Sequence, residues 1–255
     1  MPSFASYPSL RDRAVFVSGG GSGIGASIVE HFAEQGSRVA FVDIDESASL
    51  ELVGRLAAAG HPAPLFARCD VRDIAAYQAA IGELAGRTGP FTVLVNNAAR
   101  DDRHTIDEVT PEFWDERIAV NLRHQYFAIQ SVVPGMRQAG GGSIVNFSSV
   151  SYHALAPRLS VYQSAKAAVI GMTRGLARDL GPDRIRLNAI TPGWIMTQRQ
   201  IDLWLTPQGE ADLMKAQCLR EKLYPPDIAR MVLWLAADDS RLVTAQNFVV
   251  DGGRM

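Results

Sequence analysis

Lysine is almost missing from this 255-residue chain: Lys166, Lys215 and Lys222 stand against 22 arginines. Cysteine is scarcer still. Cys69 and Cys218 are too few for a disulfide framework, and no CxxC or Cys/His spacing suggests a metal, so a reducing, cytoplasmic setting is expected. No stretch reaches the roughly 18 consecutive apolar residues of a membrane helix. The opening segment MPSFASYPSLRDR lacks a basic stretch followed by an apolar one, so nothing in it marks export. Long blocks of like charge are missing too, and the formal net charge is only -2. A chain without a basic field has no means of attracting nucleic acid or anionic lipid. Neither partner is expected.

What is present is ample apolar material, 47% of residues, in a repeating order. The segments RAVFVSG, SRVAFVD, PLFARCD, FTVLVNN, GSIVNFSS, RIRLNAI and QNFVVDGG read as seven strands, each running into small or polar residues. Between them, 24–35, 47–59, 74–85, 111 to about 139, 160–180 and 226–236 carry helical periodicity. Thr110 before Pro111 is a good helix start, and Gly36, Gly60 and Gly181 are plausible stops. Strand and helix in alternation predict an α/β chain: a doubly wound, seven-stranded parallel sheet of the Rossmann type, helices on both faces, in a single domain spanning 1–255. One connection, about 191–224, is long and has no evident sheet role. Connections of that length commonly serve as lids or binding loops.

The first strand leads into VSGGGSGIG, where Gly19, Gly23 and Gly25 precede a helix. Glycines there let the backbone approach a pyrophosphate, with Ser22, Ile24 and the first amides of the helix around it. Asp43 ends the second strand 18 positions after Gly25, and Ile44 follows without positive charge. A carboxylate so placed accepts ribose hydroxyls and repels a 2′-phosphate, which predicts NAD over NADP. Asp70, followed by Val71, closes the third strand and is expected at the adenine. Asn96 and Asn97 close the fourth, before Ala98, where they can bridge loops and touch a ribose.

VYQSAK holds Tyr162 and Lys166, spaced to emerge on one helix face about 5–6 Å apart at Cβ. An ammonium beside a phenol favours its ionised form, and lysine, unlike arginine's planar fork, is a compact charge with rotatable donors. Taken alone, the pair is ordinary surface. It is not alone, since Ser149 ends the fifth strand 13 residues earlier, where ligands collect in such sheets. Asn121 lies within a predicted helix despite poor propensity. It suits a buried role, such as anchoring a water that links Lys166 to solvent.

Together the glycine loop, Asp70, NNA at 96–98, Asn121, Ser149, Tyr162 with Lys166, PG at 192–193 and VDGG at 250–253 resemble the classical short-chain dehydrogenase/reductase family. The likeness runs from Leu10 to Gly253. It implies that Asn121, Ser149, Tyr162 and Lys166 form a catalytic tetrad, and that Pro192, Gly193, Ile195 and Thr197 line the nicotinamide side. It further implies subunit contacts through long helices, commonly giving a homotetramer; Ser164, Ala167, Ala168, Gly171 and Gly175 would allow such close approach. Three positions depart from the family's pattern: Ser18 for threonine, Ala99 for glycine, and Ala245 for glycine.

Within that family NNAARDDRH, WDERIAVNLRH, ARDLG and PGWIMTQRQ look most like bacterial sugar 1-dehydrogenases, those acting on D-xylose among them. That resemblance implies oxidation of C1 of a cyclic aldose, a pentose or 6-deoxyhexose, to the aldonolactone. Ser151, His153, Arg103, Trp194 and Gln198 are candidates for the sugar, besides Ser149 and Tyr162. His104 and Arg103 also fit a solvated loop. Two other readings are a dehydrogenase or reductase of another secondary alcohol or ketone, of 3-oxoacyl or polyol type, and an NAD-binding scaffold without chemistry.

Overall fold

Short, continuous apolar runs make strands that must be covered on both faces. In the computed structural model, which describes residues 4–255, seven such strands form one parallel sheet: β1 (Ala14–Ser18), β2 (Arg38–Asp43), β3 (Leu65–Arg68), β4 (Val93–Asn96), β5 (Gly142–Phe147), β6 (Ile185–Pro192) and β7 (Asn247–Val250). Six lie within the segments that sequence predicts, and β6 continues two residues beyond its own. The order β3-β2-β1-β4-β5-β6-β7 reverses direction at β1 and β4. A crevice therefore opens at the carboxyl ends of those two strands, where the loops leave in opposite directions.

Alternation along each strand feeds the two faces. Val15, Val17, Val39, Phe41, Val93 and Val95 pack with α1 (Gly23–Glu34), α2 (Glu46–Ala58) and α9 (Pro225–Ala236). Phe16, Ala40, Val42, Leu94 and Ile144 pack on the other side with α3 (Ile74–Thr88), α5 (His124–Gln138) and α6 (Ser160–Leu180). Each fully buried Phe or Val contributes about 1.5–3 kcal/mol of transfer free energy.

The predicted helix 111–139 is built as α4 (Pro111–Ile118) and α5 joined by a π-helical segment, Ala119–Arg123. Asn121 lies in that segment. The long connection holds two helices that periodicity did not reveal, α7 (Gln198–Trp204) and α8 (Pro207–Ala216). Each starts on a threonine cap: Thr197 Oγ1 accepts from Gln200 N at 3.3 Å and Thr206 Oγ1 from Gly209 N at 3.0 Å. A parallel bridge between Ile195 and Leu223 ties the two ends of the excursion together. The small residues of α6 face outward: Ser164, Ala167, Ala168, Gly171 and Gly175 are exposed.

Candidate active site

The turn from β1 into α1 is one that only glycine builds readily. Gly19 and Gly23 have φ of 68° and 54°, in the left-handed region. At Gly25 a Cβ would collide with the Gly19 carbonyl oxygen. Asn97 fastens this turn to β4, its Nδ2 donating to the Gly19 carbonyl at 2.9 Å and to that of Ser18 at 3.1 Å. Ser18 Oγ accepts from the amides of Asn97 and Ala98 at 3.1 and 3.2 Å, so a serine in place of threonine still serves the join. Asp43 supports the loop from below. Its Oδ2 accepts from Gly21 N at 2.8 Å and its Oδ1 from Asp45 N at 3.0 Å, leaving lone pairs on both oxygens.

Beside this turn the end of β5 meets α6. Ser148 Oγ donates to the Lys166 carbonyl at 2.7 Å, and Lys166 Nζ donates to the Phe147 carbonyl at 2.8 Å. Lys166 is 1% exposed. Burial lowers its pKa to about 7, partly opposed by the Asp101 carboxylate, so near neutrality it can give up or take a proton. Its ammonium stands 5.6 Å from the centre of the Tyr162 ring. Burial first, then Asp101, raises the Tyr162 hydroxyl above its ordinary value; hydrogen bonding from Ser149 and the Arg199 guanidinium pull it down. Ser149 Oγ also accepts from Ser151 N at 3.2 Å.

The Asn121 side chain does not enter the cleft. Its Oδ1 accepts from Arg100 N at 2.9 Å, and its Nδ2 donates to the carbonyls of Arg100 and Arg117 at 3.0 and 2.9 Å. Gln125 Nε2 reaches its carbonyl at 3.3 Å. The π segment thus uses Asn121 to clamp the loop that leaves β4.

These parts surround one continuous cleft of about 970 Å³. A model of the enoyl-(acyl carrier protein) reductase family matches residues 19–254. The chain is 51% identical over 253 residues to a protein of Rhizobium meliloti named probable galactose dehydrogenase, covering 99% of this chain and 98% of that one. It is 47% identical over 251 residues to D-xylose 1-dehydrogenase of Caulobacter vibrioides, covering 98% and 99%. Among solved structures, a 3-oxoacyl-[acyl-carrier protein] reductase from Brucella melitensis with bound NAD superposes at a TM-score of 0.89, with 31% identity and 100% and 98% coverage. The chain belongs to the short-chain dehydrogenase/reductase family. It is an oxidoreductase.

In this short-chain dehydrogenase the cleft gathers nearly every residue that sequence nominates. Ser22, Ile24, Asp43, Ile44, Asp70 and Val71 line one end with the glycines; Asn97, Ala98, Pro192, Gly193, Ile195 and Thr197 line the middle. The fit to a dinucleotide rests on the loop itself, where a Cβ at Gly23 would press on Thr197 Cγ2 at 3.1 Å. Asp70 is held by its neighbour, Arg72 Nη2 donating to Oδ2 at 2.6 Å, which lowers its pKa. At the other end Ser149, Tyr162, Ser151, Arg103, Trp194 and Gln198 line the wall. Gln198 turns its amide along α7 to Asp202 at 2.7 Å. His153 does not line the cleft; its ring packs on Tyr152 with centroids 4.0 Å apart. His104 is buried, its Nε2 3.1 Å from Ser160 Oγ, and is no solvated loop residue.

Sequence reading missed Asp101, Arg199, Gln200 and Trp204, all of which line the same wall. Arg199 pairs with Asp101 across 98 positions of chain. No local spacing announces such a contact; the acidic pair in ARDDRH and the basic residue in TQRQ were its only traces.

Proposed function

We propose that this dehydrogenase oxidises the C1 hydroxyl of a cyclic aldose, of the D-xylose or D-galactose kind, to the aldonolactone, using NAD. The observation that carries the reading is near full-length identity to two sugar dehydrogenases together with an undamaged Ser149, Tyr162 and Lys166 grouping. Held by the glycine turn, a dinucleotide would supply the hydride acceptor for C1. Tyr162 takes the proton of the C1 hydroxyl while Ser149 Oγ holds that oxygen; because burial opposes a standing phenolate, it gives its own proton to the relay as it accepts this one. Lys166, poised near neutrality, passes the proton on toward solvent and rests against the Phe147 carbonyl. Asn121 holds the β4 loop that forms the opposite wall.

Asp43 supports NAD over NADP, because its carboxylate and the 62% exposed Ile44 offer a 2′-phosphate no cation. The exposed small residues of α6, which would let a second subunit approach closely, support a homotetramer, and the scarcity of cysteine a cytoplasmic enzyme.

The deciding experiment mixes the protein with NAD and a panel of pentoses and hexoses and follows nicotinamide reduction by absorbance. Lactone formation from at least one aldose is expected, and NADP in its place should give slower turnover. Tyr162→Phe should lose about 10²- to 10⁴-fold in kcat while still binding NADH. An inert panel overturns the sugar reading; full activity in Tyr162→Phe overturns the mechanism.

A further inference from the structure

Two adjacent carboxylates in the β4 loop have different surroundings. Asp102 is engaged by three guanidinium groups: Arg117 at 2.5 Å, Arg100 at 2.6 Å and Arg199 at 3.3 Å. Its acceptor capacity is largely spent, and Arg117, 4% exposed, makes it part of the framework. Among the described residues Asp101 meets only Arg199 at Oδ1 and Gln200 Nε2 at Oδ2, the latter at 2.8 Å. Each oxygen keeps a lone pair. The side chain is 20% exposed and lines the cleft.

Its position is costly for the chemistry. A carboxylate close enough to raise the Tyr162 hydroxyl opposes formation of the phenolate, and Arg199, reaching the same tyrosine, offsets it. An acid kept opposite a base, with a cation to neutralise it, serves something else in the cleft. The surrounding wall indicates what. Gln200 is itself held by Trp194 Nε1 at 2.9 Å, and the Arg103 guanidinium lies over the Trp204 ring at 4.2 Å. Among the described residues Ser151 Oγ, Arg103 Nε and Trp204 Nε1 are buried there without hydrogen-bond partners, Ser151 being 8% exposed. A carboxylate acceptor between polar groups and aromatic faces suits a ring bearing several hydroxyls, since each hydroxyl can donate and each ring face is apolar.

We infer that Asp101, fixed by Arg199 and Gln200, is the specificity-determining acceptor for a ring hydroxyl remote from the carbon that is oxidised. This rests on the sugar reading above and adds a residue to it. A charge-assisted hydrogen bond made in both ground and transition states acts chiefly on KM. It also rejects a substrate lacking that hydroxyl, because the carboxylate is then left short of a partner.

The test compares wild type, Asp101→Asn and Asp101→Ala on the best aldose and on its singly deoxygenated ring analogues, with NADH binding followed by fluorescence. With the parent sugar, Asp101→Ala should lose about tenfold or more in kcat/KM, mainly through KM. With one analogue the wild type should already show that loss, and the substitution should add little, as expected for two changes that remove one contact. Should the alanine variant fail to bind NADH, Asp101→Asn, which keeps the shape, carries the comparison. Equal losses on every analogue, or no loss on the parent sugar, overturn the assignment while leaving the sugar reading intact. A wild type inert on all aldoses overturns both, and the parent-sugar rate tells the two failures apart.

Discussion

Lys166 is where function and stability pull apart. Its pKa in the folded chain, about 7, lies below the ordinary 10.5, so unfolding takes up a proton between those limits. The penalty on the fold is complete below about pH 7 and is relieved as pH rises toward 10.5. Tyr162 runs the other way: its raised value means stability is lost above about pH 10, as the unfolded chain ionises first. Lys166→Met should therefore abolish turnover yet stabilise the protein at pH 6 by on the order of 1–3 kcal/mol, less the hydrogen bond to Phe147. Urea unfolding at pH 6 and at pH 9 checks it, and the gain should shrink at the higher pH. Asp43 offers a second test at this scale. Asp43→Ser removes the charge facing a 2′-phosphate and puts a small neutral hydroxyl in its place. The ratio of kcat/KM for NADP to that for NAD should rise by about tenfold or more. The residues that sequence identifies best are those whose roles need a particular backbone or neighbour: Gly19 and Gly23 at positive φ, and Tyr162 one helical turn from Lys166. Asp101 escaped because its partners come from a different part of the chain.

At the scale of elements, strands were legible because β-branched runs and turn residues bound them, and α6 matches its periodicity end to end. The joint between α4 and α5 was not. A π segment costs helical hydrogen-bond geometry and is retained for a tertiary reason, here the clamp from Asn121 to Arg100. Nor were α7 and α8 legible, since α7 has seven residues and none buried. Helices so short depend on caps and docking rather than on an apolar stripe. Ala245 gives an element-level prediction. Before β7, where the family carries glycine, it holds φ of 59° while its amide donates to the Leu187 carbonyl at 2.7 Å. Ala245→Gly should raise stability by about 1 kcal/mol, a side chain being strained there. Thermal melting with activity in parallel checks it, and a lower melting temperature contradicts the account.

Across the whole molecule, burial grades from the centre of the sheet outward. Every residue of β1 and β4 is buried, whereas β3 and β7 at the edges are mostly half-exposed. Amide hydrogen exchange should be slowest in β1, β4 and β5 and fastest in α7 and α8, which lie over the cleft with few buried side chains. Exchange in α7 should slow further when NADH and a sugar are both present, if Arg199 and Gln200 close the wall through Asp101. This gradient puts the most buried strands beneath the glycine turn and the least buried helices beside the other end of the cleft.

The distribution of lysine has a practical side. With Lys166 sealed inside, the side-chain amines open to reagents are Lys215 on α8 and, beyond it, Lys222, which pairs with Glu210 at 2.7 Å. Apart from the chain's α-amine, an amine-reactive support would therefore take hold through the segment that carries α7 and α8 beside the cleft, whereas the arginine side chains elsewhere would not react.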